Sequence, residues 1–274
     1  MWARSSAVEH PAYIRTVAGS NPAAPTSGRL AQLARALRLH RRSRRFESCI
    51  VHTRKTGFNM KIIYQDKDLL VIDKTAGVSV GSLKEYLPKI NLPRNGIIHR
   101  LDKDTSGLLL IAKNSKSLLF FQNKFKNREV EKTYIALVFG RIQENSGIIK
   151  TLIGRDKSGI KQKAYFLSGP SSKKTGPRKA ETEWKTIKRY KEYTLIEAMP
   201  KTGRKHQIRV HFADLGYPIA GDKLYSFKNQ KVPKGLERQF LHAKSLKIKM
   251  MQGEIKEFES QLPTNLKNIL CQIK

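Results

Sequence analysis

Apolar residues along the chain fall mostly into runs of strand length, with helical spacing in only a few places. Residues 61–64 and 69–73 read as strands around the turn 65–68, and residues 75–77 make a second turn. A short helix over 82–87 closes at Pro88, and 96–100 and 108–112 are strands separated by a polar bend at 102–107. Asn114 or Ser115 caps a helix running to about residue 127, with Leu118, Phe121 and Phe125 on one face. Residues 133–139, 184–189 and 193–198 read as strands, while 159–176 are rich in Lys, Ser and Gly and read as an exposed loop or hairpin end. A helix over 204–215 ends at Gly216, with Ile208, Phe212 and Leu215 facing inward. Late strands at 241–249 and 254–260 precede a C-terminal helix capped by Thr264. Strands dominate, and several neighbours are joined too briefly for crossover helices. The expected class is α+β, a mixed and largely antiparallel sheet with flanking helices.

That pattern is absent before Met60, where composition changes abruptly. Residues 1–59 carry ten Arg and one Lys, whereas residues 60–274 carry ten Arg and 33 Lys. Ala is equally lopsided, with nine in each part. An organelle transit peptide or a basic RNA-docking arm would fit an Arg-rich, acid-poor start. The preferred expectation is that the segment is disordered and is not genuine protein. Gly19-Ser20-Asn21-Pro22 and Arg45-Phe46-Glu47-Ser48 can both be written from the DNA GGTTCGAATCC in two frames, a stretch like a tRNA gene's T-arm. Fourteen residues before each lies a segment that back-translates as a D-arm. The start codon is then assigned too early, and the domain is 60–274. Mass spectrometry of the native protein should find an N-terminal peptide at Met60 or Lys61. Removing residues 1–59 should shift the melting temperature by no more than about a degree or two, because a segment that buries no core contributes little to stability.

Charge narrows the choice of partner. The net charge is +32 for the whole chain, and residues 60–274 alone, with 43 basic and 20 acidic residues, carry +23. Such an excess points to a polyanionic partner, with nucleic acid first, since each phosphate contact releases counterions. A lysine-loaded surface without a specific partner is the blander alternative. Cys49 and Cys271 are isolated, which fits a reducing cytoplasm and neither zinc nor disulfides. No run approaches 18 apolar residues, so no membrane span is expected.

His99-Arg100-Leu101-Asp102-Lys103-Asp104-Thr105-Ser106-Gly107 places a carboxylate in a polar bend between two strands, with basic residues two before and one after. Basic neighbours suit a carboxylate that works as nucleophile or base. On spacing alone, a solvent-facing turn explains the same residues, and more simply.

This stretch resembles the catalytic motif of the RluA-type pseudouridine synthases. Glu131-Lys132-Thr133-Tyr134-Ile135-Ala136 resembles the motif that supplies the family's active-site tyrosine. The ten residues from Thr202 to His211 resemble the motif whose last arginine pairs with the catalytic aspartate. Gly221-Asp222 and Leu241-His242-Ala243 match lesser landmarks, and the likeness runs from about Ile62 to about Phe258. Thr75 stands where the family usually has proline, the stretch between Val80 and Ile97 is short, and no S4-type module is expected within the residues before Met60.

The resemblance implies isomerisation of uridine to pseudouridine in structured RNA, ribosomal RNA first and transfer RNA second. Asp102 would start the reaction. Tyr134 would stack on the flipped uracil and help to remove the C5 proton, and Arg209 would pair with Asp102. Arg100 would fill the gap left by the flipped base, and Lys103, Lys201, Arg204 and Lys205 would meet phosphates. Each has a plainer reading: a strand tyrosine in the core, an arginine on a solvated helix face, and His206 and His211 as hydrogen-bonded helix residues. There is no metal constellation, P-loop or GxGxxG, so no cofactor is implied. A cytoplasmic monomer acting on RNA is expected. A non-catalytic basic RNA-binding protein or ribosome-assembly factor on the same fold is the alternative.

Overall fold

The computed structural model describes residues 50–52, 59–167 and 176–273. Expectations for 1–49, 53–58 and 168–175 lie outside the described residues, whereas residues 50–52, within the segment expected to be disordered, form a strand paired with residues 59–61. The elements in chain order are β1 (Ile50–His52), β2 (Asn59–Gln65), β3 (Leu69–Lys74), β4 (Ser106–Ala112), α1 (Ser115–Lys126), β5 (Glu131–Phe139), β6 (Ser146–Arg155) and β7 (Gln162–Tyr165). There follow β8 (Arg178–Arg189), β9 (Tyr193–Pro200), α2 (Gln207–Asp214), β10 (Leu241–Lys249), β11 (Ile255–Glu259) and α3 (Thr264–Gln272). The strands form one sheet in the order β1-β2-β3-β4-β10-β5-β9-β8-β6-β7, with β11 on the free part of β10. All described pairings are antiparallel except β4 with β10, so the α+β expectation holds.

Both faces of the sheet are covered, and alternation along each strand divides the core. Leu108, Leu110 and Ala112 of β4 pack beneath Leu118 and Phe121 of α1, while Leu109 and Ile111 face the other side with Leu101. Hence β4 is buried at every position. In the second half of the sheet, Ala136 and Val138 meet Ile208 and Phe212 of α2, and Ile135 and Leu137 meet Leu266 and Ile269 of α3. Tyr134 lies at the join of the two clusters on the α2 face.

The two halves of the sheet meet where β4 runs parallel to β10 for two residue pairs, His242 with Ser106 and Ala243 with Gly107. Gly107 has φ +114, and a Cβ there would stand 2.3 Å from the Ala243 carbonyl oxygen. Backbone cannot yield as a side chain can. Gly107→Ala should therefore cost about 3 kcal/mol of stability, combining overpacking with a disfavoured φ, as read from urea unfolding.

Local chemistry explains most of the elements and several departures. Asn114 caps α1 by accepting from the Ser117 amide at 2.9 Å, with Ser117 Oγ reciprocating. Residues 96–100 do not form a strand. Arg94, Asn95 and Gly96 all have positive φ, and beyond them the links to β4 are a bridge of Ile97 to Ile111 and hydrogen bonds of the Ile98 amide and the His99 ring with Leu110. The helix expected from residue 204 starts at Gln207, because His206 is left-handed with φ 57. Thr264 is the first residue of α3 and makes no capping hydrogen bond; Pro263 holds the cap position. β6 was not expected at all. Its buried Thr151 is satisfied by the distant His211, a pairing invisible to local patterning.

Candidate active site

Asp102 sits in the bend entering β4, and both halves of the molecule fix that bend. The buried Lys74 ammonium donates to the carbonyl oxygens of Thr75 at 2.8 Å, Val78 at 2.9 Å and Lys103 at 3.0 Å. Burial, then Arg238, lowers the Lys74 pKa to about 8. From the other side, Arg238 donates to the Asp104 carbonyl at 3.1 Å and to Ser106 Oγ at 3.2 Å, and the Gln239 amide donates to Thr105 Oγ1 at 2.9 Å. A surface turn free in water would have none of these constraints. The bend is thus held in place by the fold, with Lys103 exposed and Asp102 partly exposed.

The loop ahead of α2 brings the partner of Asp102. Gln207 accepts from Thr202 Oγ1 at 2.6 Å and the Arg204 amide at 2.9 Å, and donates to Glu181 O at 2.9 Å. This buckle tightens residues 202–207 and aims Arg209 inward rather than at solvent. Arg209 donates from Nη1 to Asp102 Oδ2 at 3.0 Å, and from Nε and Nη2 to Asp222 at 2.6 and 2.8 Å. Asp222 has no exposed side-chain surface, and its Oδ1 also accepts the Leu224 and Tyr225 amides. Burial opposes the Arg209 charge, but Asp222 and then Asp102 outweigh it, and its pKa is raised. The planar fork thus spends one edge on a buried anchor and offers the remaining nitrogen to Asp102.

Tyr134 on β5 is in register with Ala243 of β10 and Ala198 of β9, and its side chain lines the same cavity as Asp102. Burial, then the Asp102 charge, raises its pKa, so the phenol keeps its proton at neutral pH. That favours a stacking surface and an O–H donor over a phenolate base.

The cavity holds about 520 Å³ and is lined by Arg100, Asp102, Tyr134, Lys201, Arg204, Lys205 and Arg209 among others. Lys103 instead lines an adjoining cavity of about 1230 Å³, which shares Arg100, Asp102 and Arg209 with the first. Lys201 is half committed, since it pairs with Glu183 at 2.7 Å, and Arg204 Nε donates to Lys179 O at 2.9 Å. Residue-by-residue reading missed Lys132, whose pKa burial, then Arg128 and Lys201, lowers to about 8. It also missed Asp222 as the anchor of Arg209, although the Gly221-Asp222 landmark was visible. His211 is structural: its Nδ1 lies 2.8 Å from Thr182 Oγ1 and its Nε2 3.1 Å from Thr151 Oγ1. Among the described residues no group of three His, Cys, Asp or Glu could hold a metal ion, and no helix is long and apolar enough to cross a membrane.

One sheet sets a carboxylate, a buried arginine and a tyrosine in a cavity rimmed by lysines and arginines, an arrangement whose charge suits a polyanion. Residues 68–214, just over half of the chain, match the family described as RNA pseudouridylate synthase, and the chain belongs to that family. It is 34% identical over 230 residues to the ribosomal large subunit pseudouridine synthase D of Borreliella burgdorferi, covering 77% of this chain and 67% of that one. The protein of the same name from Nitrosomonas europaea is 32% identical over 234 residues, with 78% and 65% covered. An uncharacterized RNA pseudouridine synthase of Aquifex aeolicus is 37% identical over 195 residues, and the chain spans 59% of its length. The solved human RNA pseudouridylate synthase domain containing 1 superposes with a TM-score of 0.64 at 27% identity, over 77% of this chain and 86% of that one.

Proposed function

We propose that the chain isomerises specific uridines in structured RNA to pseudouridine, with Asp102 as the reacting group. One observation carries this reading: nine of the residues lining the 520 Å³ cavity are Lys or Arg, and Asp102 is its one carboxylate. A binding surface needs the cations alone. A lone aspartate, held by a buried arginine and faced by a tyrosine, adds nothing to phosphate affinity and is the group that chemistry requires.

The reaction breaks the bond from C1′ to N1 of uracil, turns the base and joins C1′ to C5. The C5 hydrogen leaves and N1 gains one, so the product is an isomer and no redox partner or cofactor is called for. Extracting the base from its stack costs roughly a few kcal/mol, which phosphate contacts of Lys103, Lys201, Arg204 and Lys205 would offset. Arg100, exposed at the border of both cavities, is placed to occupy the vacated stack. Asp102 begins the reaction by attacking sugar or base, or by removing a ribose proton, while Tyr134 faces the uracil. The names of two relatives support ribosomal RNA of the large subunit as the first substrate, with transfer RNA second. A monomer acting in the cytoplasm without metal or cofactor completes the reading. Mapping pseudouridines in RNA from cells with and without the gene tests it. Sites that vanish with the gene and return with the wild-type chain support it, and identical maps would refute it.

A further inference from the structure

Asp102 has two oxygens, and the described partners treat them differently. Arg209 Nη1 donates to Oδ2 at 3.0 Å, whereas Oδ1 faces His206 Nε2 at 3.8 Å, beyond hydrogen-bond range. His206 Nδ1 in turn lies 2.8 Å from the Tyr225 hydroxyl oxygen. That oxygen accepts the backbone N–H of Gln162 at 2.9 Å, so the phenol has its own proton to give, and Nδ1 is the acceptor in reach. Nδ1 therefore accepts, and the ring proton belongs to Nε2, on the side of Asp102. The hydrogen-bond partners assign this tautomer.

The ring is not there by default. His206 holds φ 57, a left-handed backbone uncommon outside glycine that His adopts more readily than most residues. The Tyr225 ring meets it edge-on at 5.6 Å and also lies 5.0 Å from the Arg209 guanidinium carbon, so one tyrosine braces both groups beside Asp102. Burial lowers the His206 pKa to about 4; Asp102 opposes the shift, and Arg209 and Lys205 reinforce it. The imidazole is neutral at ordinary pH.

We propose that His206 is a positioning residue for the free oxygen of Asp102, kept in its Nε2–H form by Tyr225. Arg209 fixes one end of the carboxylate and leaves it free to swing about that contact. A neutral N–H dipole across 3.8 Å biases the swing and keeps Oδ1 turned toward the cavity. A full hydrogen bond, or an imidazolium, would engage the lone pair that the reaction uses. The proposal rests on Asp102 being the reacting group.

The full chain is assayed on RNA extracted from cells lacking the gene and grown on uridine tritiated at C5, since bond transfer to C5 releases that hydrogen to water. Asn suits a left-handed backbone but is too short to reach the Nε2 position, whereas the Gln amide nitrogen reaches it. His206→Asn should lower kcat about thirtyfold with KM within about twofold, and His206→Gln should recover to within about fivefold of wild type. Tyr225→Phe keeps the ring over Arg209 and should lower kcat about tenfold, yet should cost nothing further when added to His206→Asn. A structural role alone would move the melting temperature and not this pattern. The proposal falls if His206→Asn turns over within about twofold of wild type, if Gln does no better than Asn, or if the Tyr225 and His206 losses multiply. Turnover retained by Asp102→Asn would instead overturn the proposed function.

Discussion

Asp102→Asn should bring tritium release down by at least about 10⁴-fold, roughly 5.5 kcal/mol on the barrier, while the protein folds and binds RNA almost as before. The amide matches the carboxylate in volume, so no cavity opens. Arg209 is not orphaned either, because Nε and Nη2 remain on Asp222. The fork that orients Asp102 does not depend on Asp102 for its own place. Folding stability should change by less than about 1 kcal/mol, within the usual range of a single partly exposed hydrogen bond. Turnover, RNA affinity by anisotropy and urea unfolding are measured on one preparation. Near-normal turnover would return Asp102 to a structural bend.

Arg209→Lys should damage both activity and stability, although the charge is kept. A single ammonium cannot reach Asp102 and also replace two donors on Asp222, which lies wholly buried with side-chain exposure of 0%. Leaving that carboxylate with fewer partners should cost about 2–4 kcal/mol in urea unfolding, in line with broken buried pairs. Activity should fall at least about tenfold, because Asp102 loses its oriented donor. The two losses separate by temperature: well below the melting transition the stability loss is masked and the catalytic loss persists. An Arg209→Lys protein of wild-type stability would show that Asp222 is satisfied by the Leu224 and Tyr225 amides alone.

The fold was legible where local chemistry decides the outcome. The Asn114 cap, the unbroken apolar run of β4 and the Gly216 stop each act within a few residues, and each stands where the pattern placed it. It was not legible where distant groups decide. β6 owes its buried Thr151 to His211, and the late start of α2 reflects the Gln207 buckle and the left-handed His206 backbone. The site divides in the same way. Asp102, Tyr134 and Arg209 stood out through resemblance to known motifs. The anchor Asp222 and the Tyr225–His206 pair depend on a loop folding back over α2, which no spacing in the chain reveals.

The two-pair seam between β4 and β10 bears on how the chain is made. β4 is apolar on both faces, and the edge that β10 will occupy stays open until residues 241–249 leave the ribosome. At usual elongation rates that interval is roughly 7–30 s, long compared with the collapse of the half already synthesised. Throughout it β4 is paired with β3 along one edge, while its other edge and its apolar faces await residues still to be made. Completion of this sheet is thus a wait for its penultimate strand.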